Sequence, residues 1–208
     1  MIDFTRAWIA TLQHATASTL VTFQAKQAAQ TFAELWNETA EPDLISLDSG
    51  VLSIREVAQS RIKQGKGKII LVGNGGALAT AAHIATDYSL AGWPSIALSG
   101  VVALTSHAND YDFELSFTKQ FELMRSHPDD ILIALSCSGK SPNILSVAHA
   151  ARAARCYVIT FSGFDADNPL RRLGNLNFYV PAHEYGFVQL AHESILHAAC
   201  DIENGWHP

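Results

Sequence analysis

Two short segments carry the residue types that hold an anion. The first, ILVGNGGALATAAHIA, runs an apolar stretch into Gly73-Asn74-Gly75-Gly76 and then into a helix-forming sequence. Glycines let a ligand approach the main chain, and a helix start turns backbone N–H groups towards it. The second, ILIALSCSGKSPN, again runs an apolar stretch into small hydroxyl residues. Ser136, Ser138 and Ser141 can each donate a hydroxyl hydrogen bond to phosphate, and Pro142 suits the first position of a helix. Neither segment is a G-x-G-x-x-G fingerprint or a Walker A loop, so a nucleotide is not specifically indicated. A lone GNGG reads equally well as a tight turn, and a lone serine loop as an ordinary helix cap. Two strand–loop–helix segments of this kind in one chain favour a phosphorylated ligand.

The elements that must position these loops can be read from apolar runs. Residues 69–72 form a short buried strand candidate. Further candidates are Ser95 to Leu98 with the valines after it, the run from Ile131, the run from Cys156 and the run from Leu176. Helical patterns follow the two loops, and a last helix is expected from about Tyr185 to Glu203. Another covers Ser49 to Gln64, with Ile54, Val57 and Ile62 inward. Residues 5 to about 39 space Trp8, Leu12, Leu20, Phe23, Phe32 and Leu35 as helices do, giving two helices or a helical arm that Glu41-Pro42-Asp43 closes. Strands alternating with helices predict an α/β fold, a three-layer α/β/α sandwich around a central parallel sheet. Ligands of such sheets bind at the carboxyl ends of the strands. The chain reads as one domain over 1–208, an N-terminal helical arm to about 64 and a sheet-containing core from about 68 to 203.

Composition narrows the class. At 208 residues, 48% hydrophobic and 16% charged, the chain has material for one sizeable core. The net charge is −6 and the 14 Lys and Arg form no basic run, which argues against a nucleic-acid partner. No apolar run reaches the length of a membrane span, and the first residues lack a basic stretch before an apolar one, so no signal peptide or membrane partner is expected. Cys137, Cys156 and Cys200 are odd in number, far apart and without C-x-x-C spacing. They predict reduced thiols and a cytoplasmic setting. The slight apolar excess points to buried subunit interfaces.

GNGG before a helix, followed by SxSGxSPN at a strand end, resembles the sugar isomerase (SIS) domain family, and within it the phosphoheptose isomerases. The resemblance covers roughly Lys68 to Glu203. His83 and Asp87 share one face of the helix after GNGG, since they are four apart. Asn109-Asp110 matches an Asn-Asp pair of the family, and Gln189, His192 and His197 match its last helix. The resemblance implies an enzyme, an aldose–ketose isomerase that converts sedoheptulose 7-phosphate to D-glycero-D-manno-heptose 7-phosphate for heptose and lipopolysaccharide biosynthesis. It implies that Asp87 and His197 move protons. It implies a zinc ion on His83, Asp87, Gln189 and His197, and a phosphate on Ser136, Cys137, Ser138 and Ser141. Gly73, Asn74, Gly75, Gly76, Asp110 and Gln189 would bind the rest of the substrate. It also implies a homotetramer with the active site at a subunit interface. The chemistry agrees in kind: such an isomerisation needs a base beside the carbonyl and an acid or metal for the enediolate.

The chain departs from the family pattern at Ala77, usually a serine that contacts phosphate, and at Cys137, usually a threonine. Asp87 is one methylene shorter than the usual glutamate, and an arginine-containing loop shrinks to AGWPS. A lost phosphate hydroxyl costs about 1 kcal/mol of binding. A base displaced by a bond length loses rate. Two alternatives follow: an isomerase of another sugar phosphate, or a non-catalytic phosphosugar-binding protein that regulates or recruits a partner. The retained Asp87 and His197 argue for the enzyme. His14, His107, His127, His149, His183 and His207 receive no role.

Overall fold

A computed structural model describes residues 4–23, 43–63 and 66–206. Among these, five strands follow the apolar runs: β3 (Ile69–Val72), β4 (Ser95–Ala97), β5 (Ile131–Ser136), β6 (Tyr157–Gly163) and β7 (Leu176–Val180). Two further strands, β1 (Leu20–Phe23) and β2 (Asp43–Ile45), complete one sheet in the order β2-β1-β7-β6-β5-β3-β4. The β4 to β7 block is parallel throughout, whereas β1 pairs antiparallel with both β7 and β2. β3, β5, β6 and β7 are buried along their whole length, as strands covered on both faces must be.

Alternate side chains serve two cores. Ile69 and Leu71 point into a core closed by α2 (Leu47–Ala58), α3 (Gly76–Leu90) and α7 (Tyr185–Glu203). Ile70 and Val72 point the other way, onto α5 (Ser116–Leu123) and α6 (Pro142–Ala153). Each fully buried Ile or Leu contributes about 1.5–3 kcal/mol, so the sheet's central strands hold both helical layers. Among the described residues no helix is long and apolar enough to cross a membrane.

Three differences from the sequence reading have local causes. α1 (Phe4–Ala17) stops short of the expected arm, because Ser18-Thr19 leads into the β-prone Leu20-Val21-Thr22-Phe23, whose pairing with β7 outweighs its helix-like spacing. Phe32 and Leu35 lie outside the described residues. The valines after the second strand belong instead to α4 (Val101–Asp110), which Ser99-Gly100 sets off. α2 is capped by Ser46, whose hydroxyl accepts from Ser49 N, and ends in a π-helical turn, Gln59–Lys63.

That turn meets the end of α7. The Glu203 carboxylate accepts from Arg55 Nε at 2.8 Å, from Gln59 Nε2 at 3.1 Å and from Lys63 Nζ. A carboxylate at a helix C-terminus is unfavourable alone, and these cations offset it. Burial pushes the Glu203 carboxyl up, but hydrogen bonds from Lys63, Arg55 and Gln59 outweigh it and hold the group below its ordinary value. Stability from such a group is present above its unfolded value, near 4.5, and is lost as the pH falls through its lower folded value. Glu203→Gln is expected to lower the unfolding free energy by about 1–2 kcal/mol at pH 7, since Arg55 and Lys63 are partly exposed. Urea titrations at pH 7 and pH 3.5 check this, because the deficit should shrink at the lower pH.

Candidate active site

β3 and β5 lie side by side with Val72 opposite Ala134, yet the chain leaves β3 for β4 on one flank and returns to β5 on the other. This reversal opens a crevice at the carboxyl ends of the two strands, the place where open α/β sheets bind ligands. The glycine loop after β3 and the serine loop after β5 both start there. They are tied directly: Asn74 Nδ2 donates to Asn143 Oδ1 and Asn143 Nδ2 donates to Asn74 Oδ1, each at 2.9 Å. Asn143 is buried in the first turn of α6, so this pair fixes one loop against the other.

Neither following helix is capped by a side chain. Gly75 offers none, and Ser141 Oγ instead accepts from Ser136 Oγ at 3.2 Å. The first turns of α3 and α6 therefore bring the positive ends of two helix dipoles to the carboxyl ends of β3 and β5. Ser138 Oγ accepts from Lys140 N, and the Lys140 ammonium pairs with Asp165 at 2.5 Å. Gly139 takes a positive φ of 62° and sits so close to the buried Asn168 that a side chain there would collide with it. The loop is held from behind by Gly163 N donating to Cys137 O and Leu170 N donating to Gly139 O.

Below the loops, α3 and α7 run in the same direction and meet rung by rung. A Cβ on Gly76 would collide with the Gln189 amide. Thr80 Oγ1 donates to Glu193 Oε2 at 3.1 Å. Asp87 Oδ2 lies 3.6 Å from His197 Nδ1 and 3.5 Å from His83 Nε2. Tyr88 Oη then donates to Leu196 O, closing the ladder. The structure thus brings His83, Asp87 and His197 together at one place. Gln189 lies nearer the loops, its amide against Gly76, and burial pushes the pKa of the Cys137 thiol up. Asp110 is held by its own helix, accepting from Asn109 Nδ2 at 3.0 Å and Ser106 Oγ at 3.3 Å.

Glu193 belongs to this cluster and escaped the sequence reading. His197 Nε2 is 4.0 Å from Glu193 Oε1, and ligand atoms of His83, Glu193 and His197 all fall within 4.8 Å of one another. The signal was available: Gln189, Glu193 and His197 step by four along one helix, the spacing that pairs His83 with Asp87. Two imidazoles and a carboxylate at this separation are the donors zinc takes, so the residues present fit such an ion. His192 plays a different part. It is fully buried, with Nε2 3.1 Å from Ser162 O, and burial pushes its pKa down to about 4, so it stays neutral at neutral pH.

A family model for the SIS domain covers residues 49–163, and the chain belongs to that family. Its relatives include phosphoheptose isomerases. The one from Helicobacter hepaticus is 34% identical over 166 residues, 76% of this chain and 83% of the relative. That from Aromatoleum aromaticum is 38% identical over 144 residues, 65% and 72% of the two chains. Among solved structures, a phosphoheptose isomerase from Francisella tularensis superposes with a TM-score of 0.76 over 99% of this chain and 100% of that one, at 24% identity. One from Neisseria gonorrhoeae gives 0.74 over 95% and 96%, also at 24%. These structures share the fold.

The crevice depends on the paired asparagines. Asn143→Ala would strand the Asn74 amide beside a small void and free the two loops from each other. The expected cost is about 1–3 kcal/mol of stability together with a weaker phosphosugar affinity. Chemical denaturation and calorimetric titration with a sugar phosphate check the two effects separately.

Proposed function

We propose that the chain is an aldose–ketose isomerase converting sedoheptulose 7-phosphate to D-glycero-D-manno-heptose 7-phosphate, a source of heptose for glycans such as lipopolysaccharide. One observation carries the reading: a carboxylate and an imidazole, Asp87 and His197 at 3.6 Å, sit on the two helices that flank a crevice built for an anion. The similarity to phosphoheptose isomerases supports the substrate. Ser136, Cys137, Ser138 and Ser141 hold the phosphate, with the backbone N–H groups of Gly75 and Gly76 near it. Asn74 and Asp110 contact the sugar.

Asp87 removes a proton from C1 of the ketose while His197 gives one to the C2 oxygen, which yields an enediol. Asp87 then returns its proton to C2, and His197 takes the proton of the C1 oxygen, leaving the aldehyde. Each group ends as it began, so the pair is ready for another turnover. A zinc ion held by His83, His197 and neighbouring oxygen donors would supply Lewis-acid stabilisation of the charge that develops on the two sugar oxygens. His192, neutral and enclosed, takes no part and instead steadies α7 against β6.

The pair is open in one chain: the side chains of His83, Asp87 and His197 are 54%, 28% and 35% exposed. Enediol chemistry favours a site closed to water. α4 buries none of its residues, and Val101 and Val102 are 71% and 83% exposed. A cytoplasmic homotetramer in which neighbouring copies cover these surfaces satisfies both features.

NMR of purified protein with sedoheptulose 7-phosphate should show conversion to the aldose. His197→Asn should lower kcat about 10²–10⁴-fold while leaving phosphosugar affinity within tenfold. Binding without conversion by the native chain would overturn the enzyme reading in favour of a phosphosugar-binding protein. Conversion of a different sugar phosphate would redirect the substrate, as the changes at Ala77, Cys137 and Asp87 allow. Light scattering should give a tetramer mass, and Val102→Asp should reduce that mass and the turnover together.

A further inference from the structure

We infer that Asn168 is a positioning residue for the serine loop: its buried side chain sets the turn at Gly139 against the turn at Phe164, and so places the hydroxyls that hold the phosphate. The inference rests on the proposed phosphosugar site and adds to it a residue enclosed behind the loop.

The sequence Asp167-Asn168-Pro169 makes Asn168 the cap of a short helical turn, Pro169–Arg172. Its Oδ1 accepts from Arg171 N at 3.1 Å. A cap needs no more than that oxygen, but here the amide nitrogen is engaged as well. Nδ2 donates to Asp165 O at 2.8 Å and lies 3.2 Å from Ser162 Oγ and 3.3 Å from Gly163 O. The whole residue is closed to water. The carbonyls of Gly163 and Asp165 flank Phe164, whose φ is 58°. A bulky residue in that region is strained and persists only where its surroundings dictate it. Phe164 N donates to Ala182 O, and Phe164 O accepts from Tyr179 Oη at 2.8 Å, so the turn is fixed from β7 as well as from Asn168.

The other edge of Asn168 meets the serine loop. Gly139 has its own positive φ of 62°, and a Cβ there would fall 1.9 Å from Asn168 Oδ1. Two left-handed turns, one after β5 and one after β6, thus close on a single amide. Lys140 also reaches across to Asp165, but their side chains are 57% and 48% exposed, and an ion pair in water contributes little. The enclosed amide is satisfied in one arrangement only, so it is the amide that fixes the loop. Gly139 lies between Ser138 and Ser141, and a shift there displaces both hydroxyls.

Calorimetric titration of the full chain with inorganic phosphate and with sedoheptulose 7-phosphate tests this, alongside turnover of the sugar followed by NMR. Asn168→Asp keeps the oxygen that caps Arg171 but sets a carboxylate against three acceptors. It should weaken both affinities roughly tenfold to 100-fold while leaving kcat within about threefold, because Asp87 and His197 stand on α3 and α7. Asn168→Ser keeps a cap with a smaller change, should fall between the native and Asp forms, and takes over if Asn168→Asp does not fold. Asp165→Ala should leave affinity within about threefold. Circular dichroism melts fix a temperature at which each variant is folded, where a merely structural role leaves affinity native. Native affinity in the folded variant, a kcat loss as large as the affinity loss, or an Asp165→Ala loss that matches it would each overturn the inference. Affinities that follow this pattern in a protein that turns over no sugar phosphate would sink the isomerase reading alone. A native chain that binds neither phosphate nor phosphosugar would overturn both.

Discussion

The pairing of β3 with β5 is the constraint on which the rest depends. These strands are neighbours in the sheet but are separated in the chain by α3, β4, α4 and α5, so the loops that leave them diverge to opposite faces. Only at such a reversal do two loop–helix starts open towards one crevice. The reciprocal Asn74–Asn143 hydrogen bonds then convert proximity into a fixed geometry. A buried amide pair is satisfied only in one arrangement, because a shift of either loop would strand polar atoms. The two loops therefore inherit their rigidity from the middle of the sheet.

The second half of the site comes from helix register. α3 leaves the glycine loop and α7 follows β7, and the two helices run together with contacts that recur every four residues or nearly so. The upper rung touches the two loops and the lower rungs carry the His83–Asp87–His197 cluster. Gln189 joins the two regions through its close approach to Gly76. A displacement of α7 by one turn would separate His197 from Asp87 and Gln189 from the loops at once. Positions this sensitive belong on regular elements rather than on loops.

α7 is accordingly held at its middle and at its C-terminal end. Its middle is pinned to β6 by His192 and Ser162, and its last residue is clamped by Arg55, Gln59 and Lys63. Those partners stand on α2 and the π-helical turn that continues it, so an element remote from the crevice sets the position of the helix that carries His197. The face of α4 and the His83–Asp87–His197 cluster are both exposed in a single chain.

The sequence alone determined the parts that depend on local pattern. Apolar runs marked the five parallel strands and the span of α7, and four of those strands are covered on both faces and therefore continuously apolar. Glycine and hydroxyl residues at two strand ends marked the crevice, because few other residues let a ligand meet the main chain. Four-residue spacing placed His83 beside Asp87. What only the tertiary structure decided were partners distant in the chain. Residues 20–23 carry spacing compatible with a helix, and the open edge of β7 makes them a strand. Val101 and Val102 are β-prone, but after Gly100 they open an exposed helix. Asn143 is an ordinary first-turn residue until Asn74 faces it. Glu193 is an unremarked acidic residue until Thr80, His83 and His197 surround it. Spacing within one helix states which side chains share a face, whereas the register between two helices about a hundred residues apart is set by packing.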